Sequence, residues 1–414
     1  MQNDLTDRKR KSIILSLLFI GMMLSYFDRL AINIGIIPMG KELNLDPSQT
    51  GLLLSAFYIG YTIMQPIGGW LTDKFGARVI LTFSILSWSV FTVLTGIGWS
   101  LASLLVIRFL FGIGEGGFYP ASYHSISETF SEKEYGRATS FFKSAAAIGS
   151  TLGTGLTAYL VVTFGWRGMF IGIGFVGIVV AWLFWVYLKP QEKKKKDFRN
   201  QVQQKVPLKK LFKIKNIWKI MIANFFLQIV QGGILSWMPS YLVKEKGLNL
   251  EAAGALLIIP GIVSFLMLNV SGWVLDKYLV RKEKYLVLSG FTLSVIFIYF
   301  VFNASTVSLG IIFLTLNSIA LAFIGPAIFT MVLKYGPREL TGSATGFINL
   351  GGVMAGAISP AIIGFAIQLF EGSYYVVSYF LSISALMGVV SAFMIKNNQP
   401  SEENDAQGPK ELTV

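Results

Sequence analysis

The sequence predicts an all-α membrane protein, with twelve transmembrane helices in two pseudo-symmetric six-helix bundles, and three observations carry that prediction. The 414 residues are 53% hydrophobic and 14% charged, with 33 Phe; this leaves too little polar side chain to cover a water-soluble globule of that length, so lipid must solvate much of the surface. Apolar stretches of about the 20 residues that a bilayer core demands recur from Ser12 to Ile395. Short signatures from the first half return in the second at near-constant offsets.

The first stretch, 13–37, is too long for a signal peptide and runs into Asp28-Arg29 without a small-residue cleavage site, so it is read as a retained helix. Stretches at 50–71, 79–98, 102–127, 138–163 and 168–188 follow, each closed by a short polar turn, and complete an N-terminal half over 1–188. Residues 189–216 are a basic cytoplasmic linker whose run Lys193 to Lys196 suits anionic lipid headgroups. The stretches 217–242, 252–275, 285–304, 308–333, 341–369 and 374–395 form a C-terminal half over 217–395, and 396–414 is a polar cytoplasmic tail of disordered composition.

A net charge of +13 would point to nucleic acid in a soluble protein, but its distribution excludes that partner here. Lys and Arg gather at Arg8 to Lys11, Lys74/Arg78, Lys133/Arg137, Lys189 to Lys215, Lys277 to Lys284 and Lys334/Arg338, which are alternate loops. The intervening loops carry few beyond Lys41, Arg167, Lys244 and Lys246. The positive-inside rule therefore places both termini in the cytoplasm, in a multi-pass protein of the cell membrane. The absence of cysteine excludes disulfides and thiol chemistry. No nucleophile, metal-ligand or cofactor constellation appears, so the expectation is a non-enzyme without cofactor, acting as a monomer.

The repeats define the two halves. Gly69-Trp70-Leu71-Thr72-Asp73-Lys74-Phe75-Gly76-Ala77-Arg78 returns as Gly272-Trp273-Val274-Leu275-Asp276-Lys277-Tyr278-Leu279-Val280-Arg281, with Gly, Trp, Asp, Lys and Arg kept at an offset of 203. Gly136-Arg137-Ala138-Thr139 is echoed by Gly342-Ser343-Ala344-Thr345, and Pro120-Ala121 by Pro326-Ala327, both at an offset of 206. Parallel repeats of this kind place a ligand between the halves near the membrane midplane, where rocking exposes it to each side in turn.

The stretch at 69–78, with its degenerate copy at 272–281, resembles the signature loop of the major facilitator superfamily, and the resemblance covers nearly the whole chain. It implies the major facilitator fold, with Asp73 and Arg78 latching cytoplasmic helix ends in the outward-facing state. A local reading stands beside it: Gly69 and Gly76 allow a tight turn and Asp73 caps a helix end.

Four charges fall inside the apolar stretches: Asp28 and Arg29 in the first, Arg108 and Glu115 in the fourth. A charge at the bilayer centre costs roughly 2.5–3.5 kcal/mol on insertion scales, so each needs a partner and a role. Arg108 and Glu115 are seven residues apart and share a helix face that Tyr119 and Ser122 continue. The four charges sum to zero. The Arg29 guanidinium fork suits a carboxylate and cannot deprotonate. If Asp28 or Glu115 holds that cation when ionised, a proton on the acid frees it for an anion, and proton and anion binding favour each other. The alternative is a static salt-bridge cluster.

Tyr26-Phe27-Asp28-Arg29, with Tyr61 and the Arg108 to Glu115 segment, resembles the anion:cation symporter branch of the superfamily, which includes bacterial sugar-acid transporters. The resemblance implies a carrier driven by the proton gradient, Arg29 as carboxylate anchor, Tyr26 and Tyr61 as substrate partners, Asp28 and Glu115 as proton carriers, and Arg108 as partner of the acids. Trp237-Met238-Pro239-Ser240-Tyr241-Leu242 is similar to a segment of that branch, and Asn349 falls where the branch has a substrate-contacting polar residue. Two positions depart from it: Ala146 replaces a Gln, and Lys143 stands where Asn is usual. Lys143 admits two readings, a lysine snorkelling to the cytoplasmic interface or a second cation in the pathway, suited to a diacid or another anion; its pseudo-symmetric counterpart is Asn349.

Tyr58, Tyr61 and Gln65 form one polar stripe, and Asn224, Gln228 and Gln231 another, both expected to face a cavity. Gly112 and Gly116 fit close helix packing rather than a nucleotide loop. His124 lies on the face opposite Glu115 and is not expected to carry the proton. The sequence thus points to proton-coupled uptake of a small carboxylate, a sugar acid foremost. The alternatives are an exchanger of another organic anion or organophosphate, disfavoured by the lack of Arg in the seventh stretch, and a ligand sensor without transport.

Overall fold

The structure, a computed structural model, describes residues 2–131, 134–188, 209–278, 282–335 and 340–395. Every described regular element is a helix: α1 (Gln2–Glu42), α2 (Pro47–Phe75), α3 (Ala77–Gly96), α4 (Leu101–Gly116), α5 (Phe118–Thr129), α6 (Tyr135–Tyr187), the one-turn α7 (Lys209–Phe212), α8 (Lys215–Lys244), α9 (Leu250–Lys277), α10 (Glu283–Asn303), α11 (Val307–Tyr335), α12 (Thr341–Leu369) and α13 (Tyr375–Met394). Ten described helical stretches are long and apolar enough to cross a membrane. The 51-residue stretch Arg137–Tyr187 is broken at Gly165, whose φ of 68° and ψ of 164° favour a residue without Cβ. Each of the twelve expected stretches lies on these helices. The fourth is divided between α4 and α5 at Gly117 rather than continuous. Lys193 to Lys196 and the tail after Ile395 lie outside the described residues, as do Leu279 to Arg281 of the second signature loop; α8 begins at Lys215, just inside the expected linker.

Local chemistry fixes the helix starts. Asp46 caps α2, its carboxylate accepting from Gln49 N (2.8 Å) while the Gln49 side chain accepts from Asp46 N (3.1 Å), with Pro47 in the first turn. Asn249 caps α9 through Ala252 N (2.7 Å). Gly76, at φ 86°, turns the chain from α2 into α3. Gly69 and Asp73 take no part in that turn, since both are within α2, and Gly76 at the start of α3 receives no side-chain cap.

Two bundles result. In the first, α1 and α3 pack on α6 and α2 packs on α4; in the second, α8 packs on α12 and α13, α10 on α11 and α13, and α9 on α11. Glycines set the closest approaches. A methyl carbon at Gly60 would fall 2.1 Å from the Phe109 carbonyl oxygen, and one at Gly112 equally close to the Phe57 carbonyl, so α2 and α4 touch backbone to backbone. That contact brings Phe57 and Tyr61 against the inner face of α4.

The bundles meet most extensively through two pairs that the internal repeat makes equivalent, α2 with α12 and α6 with α9, with a smaller contact of α1 with α8. Both contacts concentrate at the end of the molecule that carries the α1–α2 turn. There a Cβ at Gly51 would lie 2.4 Å from Pro360 O, one at Gly364 2.3 Å from Pro47 O, and one at Gly254 2.5 Å from Ala158 Cβ. Ser55 Oγ accepts from Ala361 N (3.1 Å). At this same end Glu42 accepts from Trp166 Nε1 (2.6 Å) and Arg167, whose guanidinium also donates to Gly98 O (2.8 Å), tying α1, α3 and α6 together. Towards the opposite end the halves diverge, and Gly272 of α9 and Gly346 of α12 have nothing within 4 Å of the place a Cβ would take.

Candidate functional site

Between the halves lies a cavity of about 330 Å³, walled by α1, α6, α8, α9 and α11. Its lining is neutral. Polar groups come from Asn33, Ser150, Thr154, Gln231, Ser264 and Asn317, and apolar ones from residues such as Leu30, Pro239 and Leu257. Of the expected substrate contacts only Gln231 lines it. The second polar stripe divides along its length: Asn224 donates to Ile348 O of α12 (2.9 Å), and Gln228 lies against Gly352 of the same helix.

The four intramembrane charges gather in the N-terminal half, with Arg29 one helical turn from Asn33 of the cavity lining. Asp28, Arg108 and Glu115 are each about 1% exposed, so every unpaired polar atom among them is costly. Arg29 Nη2 donates to Glu115 Oε1, which also accepts from Ser25 Oγ (2.5 Å). The Arg29 guanidinium stacks on Tyr26 (4.7 Å), Phe57 (5.0 Å) and Tyr61 (4.7 Å), a cage in which desolvated cation–π contacts contribute about 2 kcal/mol or more. Tyr26 and Tyr61 therefore flank Arg29 with their ring faces. The same Phe57 ring lies 5.7 Å from the Arg108 guanidinium, which also stacks on Phe111 (4.6 Å), so one phenyl ring separates two cations.

The two acids play different parts. Glu115 holds the cation, whereas Asp28 accepts from Thr92 Oγ1 of α3 and forms no ion pair within 4 Å among the described residues. Arg108 lies within electrostatic range of both acids without bonding either. Asp28 Oδ1, Glu115 Oε2, Arg29 Nε, and Arg108 Nε and Nη1 are buried without a hydrogen-bond partner among the described residues. Beyond the break at Gly117 the two expected continuations part: Tyr119 pairs with Tyr123 (3.2 Å) and lies within electrostatic range of Tyr26 and Tyr61, whereas Ser122 donates to Phe118 O of its own helix (2.8 Å).

Lys143 and Asn349 stand on opposite walls of the divergent end, both exposed. At 100° per residue, Lys143 projects between Ser150 and Thr154, which line the cavity, and away from Leu152, Leu156 and Tyr159, which form the exposed apolar face of α6. Asn349 is two turns from Gly356, which packs on Tyr58 of α2. Asp73 and Arg78 each engage their own half: Arg78 stacks on Trp185 (4.2 Å) and donates to its carbonyl (2.6 Å), and the Asp73 carboxylate lies 3.9 Å from His124 Nε2. His124 faces Asp73 and Glu128 rather than the charge cluster.

Sequence reasoning missed Ser25, Thr92, Asn33 and Asn317. Ser25 and Asn33 had a signal, lying one turn before and one turn after Arg29. Asn317 is fully buried in an apolar helix, its Oδ1 accepts from Ser294 Oγ (2.7 Å), and its Nδ2 has no partner among the described residues. Its polarity against Leu314 and Leu316 was the available clue.

Comparison with known proteins yields one family match and three similar proteins. Residues 18–360 match the model of the Major Facilitator Superfamily. The probable galactarate/D-glucarate transporter GarP of Escherichia coli (strain K12) is 28% identical over 94% of this chain and 96% of its own length, and the hexuronate transporter of Bacillus subtilis (strain 168) is 28% identical over 88% and 91%. The crystal structure of a D-xylose-proton symporter superposes with a TM-score of 0.76 at 17% identity, covering 94% of this chain and 99% of that one.

Proposed function

Because the chain belongs to the Major Facilitator Superfamily and is thus a multi-pass membrane transporter, we propose that it imports a sugar acid together with a proton by alternating access. The observation that carries this reading is the Arg29–Glu115 pair, buried one turn from a neutral, polar-lined cavity. Arg29 is the anchor for the substrate carboxylate, and its fork matches that group in two parallel hydrogen bonds. While Glu115 is ionised it occupies the fork. A proton on Glu115 removes the competing charge, the guanidinium becomes available, and the arriving carboxylate restores electroneutrality. Each ligand then strengthens the binding of the other, the linkage a symporter needs. Tyr26 and Tyr61 keep the guanidinium in place through this exchange, Asp28 serves as a second proton site beside Thr92, and Arg108 holds the field of both acids.

With both termini in the cytoplasm, the divergent end opens inward and the glycine contacts close the outer side. In the alternate state Asp73 and Arg78 leave their present partners and latch the cytoplasmic ends. The names of the two relatives span acids with one carboxylate, the hexuronates, and with two, galactarate and glucarate, and support an organic acid in either case. The test is counterflow and pH-gradient-driven uptake of labelled aldonates, uronates and aldarates in proteoliposomes. Accumulation against a gradient, collapsed by a protonophore, is the expected result; ligand binding without counterflow would instead make the protein a sensor.

A further inference from the structure

We propose that Lys143 forms a second carboxylate subsite, which makes the substrate an extended dicarboxylate rather than a monocarboxylate. The proposal rests on the sugar-acid reading above and specifies its class. Its first support is position. On α6 the residues facing α1 are Gly149, which abuts Met23, and Gly153, which abuts Phe27; those facing α9 are Thr151 and Gly155, in contact with Gly261 and Ile258; those facing outward are Leu152, Leu156 and Tyr159. The remaining sector belongs to Ala147, Ser150 and Thr154, which line the cavity, and Lys143 lies at its centre. Its exposure is therefore to the gap between the halves, not to lipid.

The second support is charge. Asp28, Arg29, Arg108 and Glu115 sum to zero, and Lys143 has no ion pair or hydrogen bond among the described residues. The position that the internal repeat makes equivalent, on the opposite wall, is the neutral Asn349. Lys143 thus gives the pathway one uncompensated positive charge, and the coupling proton adds a second. A monocarboxylate would leave one of them unbalanced in a low-dielectric channel, whereas a dianion balances both.

Spacing is the third support. Gly149 against Met23 and Gly153 against Phe27 put α6 alongside α1 in parallel register, so that Lys143 is level with Leu17. Arg29 stands twelve residues further along, roughly 18 Å at 1.5 Å per residue. The Arg29 guanidinium lies over Tyr26, one turn back towards Lys143, which with the reach of the four-methylene Lys143 side chain closes part of that span and leaves room for an extended chain of several carbons, with a carboxylate at each end and hydroxyls between. Malonate-sized diacids are too short to engage both.

The experiment measures uptake by the full-length protein in proteoliposomes for a six-carbon aldarate and the aldonate that differs from it only by a terminal CH2OH. The wild type is expected to prefer the aldarate. In Lys143→Gln the aldarate-to-aldonate ratio should fall about tenfold or more, the equivalent of one charge-assisted contact, and Lys143→Arg should restore most of it. An unchanged ratio in Lys143→Gln, or a loss in Lys143→Arg as large as in the Gln variant, overturns the subsite. Thermal unfolding of each variant identifies one that has failed to fold, and the Arg variant then carries the comparison. Transport of acids by the wild type without preference for the aldarate overturns this proposal alone; transport of neither acid removes the sugar-acid reading and this proposal with it.

Discussion

Arg29 and Glu115, 86 residues apart in the chain, form an ion pair inside the membrane on a guanidinium already stacked against Tyr26, Phe57 and Tyr61. The rings hold the cation where it is, so the proposed exchange of a carboxylate side chain for a carboxylate ligand needs little movement of Arg29.

Replacing Arg29 should therefore separate charge from geometry. Arg29→Ala is expected to lower uptake at least 100-fold. Arg29→Lys keeps the charge but loses the fork and should retain only weak transport. Initial uptake rates and ligand-induced thermal shifts measure both, and full affinity in Arg29→Ala would remove the anchor assignment.

Glu115→Gln mimics the protonated acid permanently. Labelled substrate should still exchange across the membrane, while accumulation driven by a pH gradient should fall to the equilibrium level. Equal loss of exchange and accumulation would make Glu115 structural, since removing one partner of a buried pair typically destabilises by 3–5 kcal/mol.

The contact that presents Phe57 and Tyr61 to Arg29 has its own test. Gly112→Val forces a branched side chain into the Phe57 backbone and should destabilise by about 1–3 kcal/mol through overpacking. Thermal unfolding in detergent reads the loss, and a matched Gly114→Ala change against Ser87 should be milder because a side chain can give way.

The closed end can be locked. The chain has no cysteine, and a Cβ at Gly254 sits close to that of Ala158, within reach of a disulfide after small adjustment. Oxidation of Ala158→Cys/Gly254→Cys should cross-link the two halves and abolish transport, and reduction should restore it. Unimpaired uptake by the cross-linked protein would show that this end need not part.

At the divergent end, Glu134 accepts from Ser131 N (3.0 Å), Ser131 Oγ (2.8 Å) and Lys11 Nζ (2.9 Å). The Ser131 amide and then the Lys11 ammonium pull its pKa down to about 2. A depressed folded-state pKa contributes stability that is complete above the unfolded value near 4.3 and lost as pH falls towards 2. The difference in melting temperature between wild type and Glu134→Gln should accordingly shrink between pH 5 and pH 2; a constant difference would deny the linkage.

The bilayer made most of the fold legible, because lipid imposes a length on every apolar stretch, and the Gly165 break fell in the expected gap between 163 and 168. The repeat pointed to two halves with a ligand between them, but which helices meet across them, α2 with α12 and α6 with α9, was not read from it. Pairing within the charge cluster was less accessible. Both Asp28 and Glu115 were eligible partners of Arg29, and the choice depends on Thr92 of α3 occupying Asp28, a relation between helices that no local spacing encodes. Asn224 and Gln228 fitted a cavity stripe equally well as Gln231, but the closeness of α12, allowed by Gly351 and Gly352, covered them. Gly69 looked like part of a turn because Gly76 follows it; only backbone geometry separates a helical glycine from one at positive φ.

The α2–α12 contact between the halves is made largely of main chain, with Gly51 and Gly364 seated on Pro360 and Pro47. Peptide groups have no rotamers, so this closure cannot flicker open one side chain at a time. Parting it requires an entire helix to tilt, so this end of the molecule opens or stays shut as one piece.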